Sequence, residues 1–438
     1  MAAELVQEVY KIFDPAPLPA TETDLYVSLD DVRGNAGIVD KLANRIRLSG
    51  KPTCQILAGH RGSGKSTELY RLQRTLQEKA QTPPYFVVYC EARHDIDLND
   101  VDFPELMIGL LRQIAAQVKK NAGITLKAGY FKDRFEFLKR FLGSEVTFDA
   151  YEVEVGMLKL SGVIKNSPDA RQKLREALEP DTNNWIWAAN ELIGTAKLEL
   201  TKKGYRDLVV IVDDLDRMID RPHGVVPCST CEHLFVRREA QLTAFLCHFV
   251  YTMPISCVYS GMAATIENLY GGQPPVVPMT KLTTRPPEAK PFKPGIQKFR
   301  DIITKRLAKA QVDETQVFND AKVRDELVKL SGGQPRELMI LIREAILGTG
   351  LPIDAPAVER AAREGRRSYA RQLMAEHWPI IEAVRRNGTL GRTTDNDKAI
   401  RELLESRAIL SYVNDEDWYG ENPLLAGLKN PFAAEASP

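Results

Sequence analysis

The sequence contains few cysteines, no long apolar segment and no excess of either charge. Only six of its 438 residues are cysteine, too few for a disulfide-rich scaffold, so we expect free thiols in a reducing compartment. No apolar run approaches the roughly 20 residues that a membrane-spanning helix needs. The first residues, MAAELVQEVYKIF, lack the apolar core of a signal peptide. We therefore predict a cytoplasmic protein with no membrane partner.

The balance of charge excludes a protein whose overall field attracts nucleic acid. Lys and Arg together number 59, as do Asp and Glu, so the formal net charge is zero. Any contact with DNA must then come from a local basic patch. The apolar fraction of 44% is ordinary for a globular protein, and a chain of this length predicts two or three domains.

The most informative segment is a glycine-rich sequence, AGHRGSGKST, which runs from Ala58 to Thr67. It matches G-x-x-x-x-G-K-[ST] in full, between an apolar run at 53–58 and a helical pattern at 67–79. A loop placed between strand and helix directs its backbone N–H groups toward one phosphate. We expect Lys65 to reach the β- and γ-phosphates of a nucleotide and Ser66 to bind Mg²⁺. The predicted phosphate-binding residues are Gly59, Gly62, Ser63, Gly64, Lys65, Ser66 and Thr67.

A second motif is an apolar strand that ends in acidic residues, DLVVIVDDLDR, from Asp207 to Arg217. A continuous apolar run of this length is typical of a central parallel strand. Its carboxyl end would lie in the crevice where open α/β sheets bind ligands. We predict that Asp213 holds Mg²⁺ and that Asp214 polarises the attacking water.

The order of elements predicts an α/β fold on a parallel sheet. The loop is followed by a helix, a strand at 85–90 and a helix from Pro104, which is the start of a right-handed parallel sheet. Residues 121–205 then delay the next strand, and we interpret them as a mostly helical insertion in which 151–163 alternates like a hairpin or strand. After the acidic strand we predict a helix near 242–250 and a core strand at 254–260, which ends at Ser260.

The C-terminal half predicts a helical lid and a further small module. Seven prolines within 271–295 indicate a linker, and helices follow at about 295–310, 320–331, 335–347 and 355–386. In the sequence SGGQPRE, Gly332 and Gly333 suit a helix end and Pro335 a helix start, which places Arg336 in a first turn. Two helices and a short hairpin over the last 50 residues suggest a winged-helix module. The predicted domains are an extension (1–22), the core (23–280), the lid (281–370) and a winged-helix-like domain (371–438).

This combination resembles the AAA+/STAND class of P-loop ATPases, and the nearest groups are origin-binding initiator ATPases, KAP-type NTPases and bacterial defence ATPases. The resemblance covers about 35–430, except for the insertion. It implies that Arg336 is a sensor 2 arginine that touches the γ-phosphate from the lid, and that Ser260 is the sensor 1 residue. One departure is Asp214, where many AAA+ enzymes carry Glu. Asp is common there in STAND and KAP proteins, which favours a switch over a motor.

We therefore expect an ATPase that needs ATP and Mg²⁺, with catalytic roles for Lys65, Asp214 and Arg336 and metal binding by Ser66 and Asp213. The first hypothesis is a molecular switch that couples nucleotide state to homo-oligomerisation and controls a partner effector, for example in antiviral defence. The alternative is a DNA-binding AAA+ ATPase that loads on or remodels DNA through its winged-helix module.

Three weaker patterns leave alternatives open. Cys228 and Cys231 have the spacing of zinc ligands but no matching second pair, so a surface loop with incidental thiols is favoured. A row of arginines (Arg360, Arg363, Arg366, Arg367 and Arg371) is either a solvated helix face or a patch for DNA phosphates or an acidic partner. Arg217, Arg237 and Arg238 are candidate trans-acting arginines or ordinary salt-bridge partners.

Overall fold

The computed structural model describes residues 2–34, 36–78, 83–126, 134, 137–138, 153–223 and 228–432. Its strands are β1 (Cys54–Gly59), β2 (Phe86–Glu91), β3 (Leu208–Asp213), β4 (His248–Met253), β5 (Val276–Val277), β6 (Ile409–Val413) and β7 (Asp417–Glu421). The first five form one parallel sheet in the order β2-β3-β4-β1-β5, and β6 and β7 form an antiparallel hairpin. The predicted α/β class with a parallel sheet is confirmed.

Helices cover the sheet and continue beyond it. The first nine are α1 (Ala2–Ile12), α2 (Asp30–Arg33), α3 (Ile38–Leu48), α4 (Lys65–Gln77), α5 (Ala92–Asp95), α6 (Phe103–Ala122), α7 (Val153–Asn166), α8 (Pro168–Leu178) and α9 (Thr182–Lys202). Four short helices then flank β4 in sequence, two before it and two after it: α10 (Thr230–Glu232), α11 (Glu239–Leu242), α12 (Ile255–Val258) and α13 (Ala263–Leu269). The rest are α14 (Lys293–Lys309), α15 (Glu314–Val317), α16 (Ala321–Leu330), α17 (Pro335–Thr349), α18 (Ala355–Ala370), α19 (Trp378–Asn387) and α20 (Asp397–Glu405). None of the described helices is both long enough and apolar enough to cross a bilayer.

The sheet is buried on both faces. All six residues of β3 are buried, and alternate side chains of this strand belong to two separate apolar cores. Val209 and Ile211 pack with Leu42 of α3 and Leu72 of α4. On the opposite face, Val210 packs in the larger core, to which α6 and α9 contribute. Burial on both sides explains why β3 reads as a continuous apolar run, without the alternation of a half-exposed strand.

The carboxyl ends of three strands meet at one edge of the sheet. β4 lies between β1 and β3, so that Leu57 is opposite Thr252 while Val212 is opposite Tyr251. The glycine-rich loop follows β1 and the acidic residues follow β3, so both emerge at this edge. Parallel α/β sheets bind ligands at such an edge, in the crevice beyond the strand ends.

Two assemblies lie beyond the sheet. The helices from Lys293 to Ala370 form the lid, and the elements from Ala375 to Leu425, which we call the C-terminal module, comprise two helices followed by the β6–β7 hairpin. The order of elements predicted for the module is confirmed. Within it Trp378 is 1% exposed and Trp418 2%, so the module has an apolar interior, while α20 packs against α12 of the core.

Several predicted elements are wrong. Residues 254–260 are not a strand, because β4 runs from His248 to Met253, and most of the helix predicted at 242–250 is loop or strand. The hairpin predicted at 151–163 is helical from Val153 onward. Most of 127–152, in the first part of the predicted helical insertion, lies outside the described residues. The helix predicted over 355–386 is divided between α18 and α19.

The proline-rich linker is also more ordered than its composition predicts. Val276 and Val277 form the edge strand β5, and Val277, Met279 and Thr280 are fully buried. Elsewhere Cys231 and Cys257 are joined in a disulfide. The expectation that the cysteines are all free thiols is therefore wrong for this pair. The four others are free.

A candidate nucleotide site between core and lid

A cavity of about 370 Å³ lies where the core, the lid and the N-terminal segment meet. The loop after β1 and the acidic residues after β3 contribute polar groups to its lining. Apolar side chains come from the N-terminal segment and from the lid: Pro17, Leu18, Leu25, Val27, Ile302 and Met339. An apolar lining with a small number of polar groups is the general composition of a small-molecule site.

The phosphate-binding loop has the backbone that its glycines predict. Gly62 has φ of 87° and Gly64 of 99°, a region that side chains disfavour. A Cβ at Gly62 would lie 3.3 Å from Cβ of Arg336, and one at Gly64 would lie 3.1 Å from Nη2 of Arg33. Both positions therefore combine a strained conformation with close neighbours. α4 begins at Lys65, so its N-terminus faces the cavity.

Lys65 is buried and fully engaged within the site. Its Nζ donates to the carbonyl oxygens of Gly59 (2.6 Å) and His60 (2.9 Å), and it lies 2.9 Å from Oδ2 of Asp216. Only 5% of Lys65 is exposed. The ammonium group is therefore held beside the loop by one carboxylate and two carbonyls.

Asp213 lies at the carboxyl end of β3. Its carboxylate accepts from Tyr89 Oη at 2.7 Å and from the Asp214 backbone N–H at 2.8 Å. Burial raises its pKa and the neighbouring Asp216 adds to that effect, while the Ser66 hydroxyl opposes it. The two predicted Mg²⁺ ligands, Ser66 and Asp213, are thus close enough to interact.

Asp214 follows in a left-handed backbone conformation, with φ of 68°. Two arginines hold its carboxylate: Arg217 Nε at 2.6 Å and Arg93 Nε at 3.0 Å. Burial and the charge of Asp213 raise the pKa of Asp214, while the two guanidinium groups oppose that rise. In this conformation the side chain is paired with arginines, and it still lines the cavity.

The three carboxylates after β3 form a compact acidic cluster. Asp213, Asp214 and Asp216 are all buried, and one oxygen from each lies within 4.8 Å of the others. Such carboxylates repel one another unless cations intervene. Oxygen donors of this kind, beside the Ser66 hydroxyl, fit Mg²⁺ better than softer metals.

Arg336 completes the site from the lid. It lies in the first turn of α17, after Pro335, and its side chain packs against the loop at Gly62. Among the described residues it has no hydrogen-bond or ion-pair partner. Burial lowers its pKa, and the nearby Arg217 and Arg407 contribute in the same direction. An exposed guanidinium with no carboxylate bonded to it, in the same cavity as a phosphate-binding loop, can bind an anion.

Besides Tyr89, Arg93 and Asp216, three further residues at the site were not predicted from the sequence. Arg33 is buried and donates to the Ser63 carbonyl at 2.6 Å, which secures the loop. Thr252 of β4 accepts from the Asp216 backbone N–H at 3.4 Å and so links β4 to the acidic segment. Arg306 of the lid lines the cavity, and burial lowers its pKa to about 10. Each belongs to an element whose position relative to the loop depends on the tertiary fold.

Other predicted residues do not join the site. Ser260 follows α12 and bonds to the Cys257 carbonyl, so it does not end a strand as the sensor 1 prediction supposed. Cys231 is bonded to Cys257 in a disulfide, so it is not available as the second zinc ligand that the spacing of Cys228 and Cys231 left open. Of the candidate trans-acting arginines, Arg217 reaches the cavity, whereas Arg238 pairs with Asp102 and Glu179 and Arg237 pairs with Glu232.

Comparison with known proteins finds similar solved structures but no match by sequence. No protein-family model and no curated protein matches the sequence. Among solved structures, the ORC2 protein of Aeropyrum pernix, in ADPNP and ADP complexes, has 13% identity and a TM-score of 0.43 over 94% of this chain and 93% of its own. A Walker-type ATPase of Pyrococcus abyssi has 13% identity and a TM-score of 0.42 over 94% of this chain and 98% of its own.

The ORC1 protein of Aeropyrum pernix, in complex with DNA, has 15% identity and a TM-score of 0.38 over 97% of both chains. Two of these three similar structures are thus ORC proteins. At these scores the likeness concerns overall architecture, and we draw nothing about function from it. The sheet and the loop themselves define the chain as an α/β P-loop protein.

Proposed function

We propose that this protein binds ATP with Mg²⁺ and hydrolyses it, and that the bound nucleotide sets the position of the lid. The observation that carries the proposal is the placement of Arg336. An unpaired lid arginine lies against Gly62, in the same cavity as Lys65 and the acidic cluster. A γ-phosphate in that cavity would meet charges from both the core and the lid.

The proposed role of each residue follows from its position in the cavity. The loop amides and Lys65 would stabilise the charge on the phosphates, and Ser66 and Asp213 would hold Mg²⁺, which supplies further charge neutralisation between the β- and γ-phosphates. Asp214 would orient the attacking water. Arg336 would contact the γ-phosphate and so distinguish ATP from ADP.

The state of Asp214 favours a switch over a fast motor. Its two ion pairs, with Arg93 and Arg217, stabilise the ionised carboxylate and make it a weaker base toward the attacking water. Each such contact adds to the activation barrier, and every 1.4 kcal/mol slows a step about tenfold. We therefore propose slow basal hydrolysis that a partner or a conformational change accelerates.

The test is a calorimetric titration of ATP into wild-type protein and Lys65→Ala. Loss of the ammonium should weaken ATP binding at least tenfold, which is about 1.4 kcal/mol. Lys173→Ala, which removes an exposed cation from α8, is the matched control and should bind like wild type. Equal affinity of Lys65→Ala and wild type would refute a nucleotide site at this loop.

For the partner of the switch we favour DNA over an effector protein of antiviral defence, because part of the predicted arginine row is accessible. Arg363 and Arg367 lie four residues apart on α18, and Arg371 lies four residues further on, at its C-cap. All three are exposed and share one face of the helix at intervals of about 6 Å. Arg366, by contrast, bonds to the Leu424 carbonyl. The accessible arginines could contact successive backbone phosphates without movement of the C-terminal module.

Fluorescence anisotropy with a labelled duplex tests the DNA partner. The double variant Arg363→Ala, Arg371→Ala should bind more weakly than wild type, and the salt slope of its affinity should fall by about two. Lys173→Ala should leave both quantities unchanged. If wild type and the double variant bind DNA equally, the arginine row is not the DNA contact. If wild type binds no DNA, the effector protein becomes the favoured partner, and assembly of a homo-oligomer on ATP binding becomes the measurement to make.

A further inference from the structure

The side chain of His60 joins the phosphate-binding loop to the C-terminal module. This residue occupies a variable position of the loop motif and has no exposed surface. Its Nε2 accepts from the Ser411 backbone N–H of β6 at 2.9 Å, and its Nδ1 lies 3.1 Å from the Leu404 carbonyl of α20. The imidazole therefore bridges the two elements of the module that face the core.

These two contacts fix the state of the imidazole. Because Nε2 accepts a hydrogen bond from a backbone N–H, it carries no proton, so Nδ1 bears the proton and donates it to the Leu404 carbonyl. Burial keeps the ring neutral by lowering the pKa of His60 to about 3, and Lys65 contributes to that shift. Neither contact can be exchanged for water while the module stays docked.

The backbone of the same residue holds the nucleotide-binding lysine. The His60 carbonyl accepts from Lys65 Nζ at 2.9 Å and from the Ser63 backbone N–H at 3.2 Å. The side chain and the main chain of His60 thus connect the module to the two parts of the loop that would face phosphate.

The module is also attached to the core by contacts that do not touch the loop. Arg401 pairs with Asp220 at 3.0 Å, and Ser256 of α12 donates to Glu405 at 2.5 Å. The Met279 backbone N–H donates to the Ser411 carbonyl at 3.0 Å. Docking can therefore be weakened from these positions while the loop sequence remains intact.

We propose that the docked C-terminal module preorganises the phosphate-binding loop through His60, so that module docking and nucleotide binding strengthen each other. The loop is rich in glycine and would otherwise sample many conformations, and a loop held in its binding conformation loses less entropy when ligand binds. Such coupling is reciprocal, so nucleotide must tighten docking by the same factor by which docking tightens nucleotide binding. The proposal rests on ATP binding at this site.

The experiment compares ATP dissociation constants of four full-length proteins by calorimetry. His60→Ala removes the bridge, and Arg401→Ala weakens docking at a distance from the loop. Both should raise the dissociation constant at least threefold. His377→Ala is the control. His377 is also a buried histidine, but its hydrogen-bond partners, Glu402 and the Met374 N–H, lie outside the phosphate-binding loop. It should match wild type.

A second measurement tests the reciprocal effect, that of nucleotide on docking of the C-terminal module. In the docked state the Ser411 backbone N–H donates a hydrogen bond to His60. Hydrogen exchange of this amide should slow at least threefold when ATP is added to wild type and should not respond to ATP in His60→Ala. The exchange measurement on wild type still tests the proposal if His60→Ala fails to fold.

The outcomes separate the coupling from the proposed function. Wild type that binds no ATP refutes the proposed function and the coupling with it. Wild type that binds ATP, together with an Arg401→Ala variant of unchanged affinity, overturns the coupling alone. Weaker binding in His60→Ala with normal binding in Arg401→Ala would mean that His60 supports the loop locally, which also overturns it.

Discussion

Lys65 of the phosphate-binding loop and Asp216, beyond β3, form a buried ion pair with 2.9 Å between Nζ and Oδ2. Their side chains are 5% and 6% exposed. A buried charge without a partner is strongly destabilising, so Asp216 satisfies the lysine when no phosphate is present. A nucleotide must then replace this carboxylate as the partner of Lys65, and Asp216 becomes an internal competitor of the phosphates.

The first prediction tests this competition. Asp216→Asn should strengthen ATP binding at least threefold when Mg²⁺ is absent, because it removes both a negative charge and the ion pair that ATP must displace. Titrations in EDTA provide the measurement, since they exclude any role of Asp216 near a metal. Asp169→Asn, at an exposed carboxylate on α8, should change nothing. An unchanged or weaker affinity of Asp216→Asn would show that Lys65 does not exchange partners.

The second prediction separates metal binding from hydrolysis. Asp213→Asn should reduce the Mg²⁺ dependence of ATP affinity, because Asp213 lies close to the other predicted ligand, Ser66. Asp214→Asn should bind Mg²⁺-ATP about as tightly as wild type and hydrolyse it at least tenfold more slowly. Titration with and without Mg²⁺ and a phosphate-release assay measure the two effects. A wild-type rate in Asp214→Asn would assign the water to another residue.

The parts of this site that the sequence predicts are those whose residues lie together in one continuous segment of the chain. The motif from Gly59 to Thr67 specifies a loop between a strand and a helix, and the apolar run before Asp213 specifies a buried strand. Both are local patterns with a direct physical cause, and both are found in the structure. Arg336 was predicted from a short motif at a helix start, which also depends on local geometry.

The errors arise where the local pattern is ambiguous or the contact is distant. From Phe245 to Val258 nearly every residue is apolar, and such a run does not distinguish a buried helix from a buried strand. The strand was therefore placed several residues too late. The partners of His60 and the support that Arg33 gives to Ser63 link segments far apart in the chain. No periodicity in one segment can reveal them.

The third prediction concerns pH. The folded-state pKa of His60, about 3, lies below the value of about 6.5 expected in the unfolded chain. The unfolded state therefore binds the proton first, so this residue contributes stability above pH 6.5 that is lost as pH falls toward 3. The loss is about 1.4 kcal/mol per pH unit within that window.

The measurement is urea unfolding of wild type and His60→Gln at pH 7, 6 and 5. Because the variant cannot titrate at this position, the stability difference between the two proteins should shrink as pH falls, while contributions of the carboxylates cancel. Lys65 and Arg407, the charged groups that disfavour the imidazolium, are present in both. A difference that stays constant from pH 7 to pH 5 would mean that His60 is accessible to protonation in the folded protein.

The last prediction concerns the lid. Arg336 approaches the loop at Gly62 without a carboxylate partner of its own, so a γ-phosphate would be its natural counterion. ATP offers that charge and ADP does not, and a ligand shifts a conformational equilibrium only by its different affinity for the two states. Arg336→Ala should therefore bind ADP within about twofold of wild type but lose most of the ATP-dependent protection of the lid in limited proteolysis or hydrogen exchange. Lys322→Ala, at an exposed cation in the first turn of α16, should keep the wild-type response. If ATP protects the lid of Arg336→Ala as fully as it protects wild type, then this arginine faces its cavity without reading the nucleotide, and the lid has no part in distinguishing ATP from ADP.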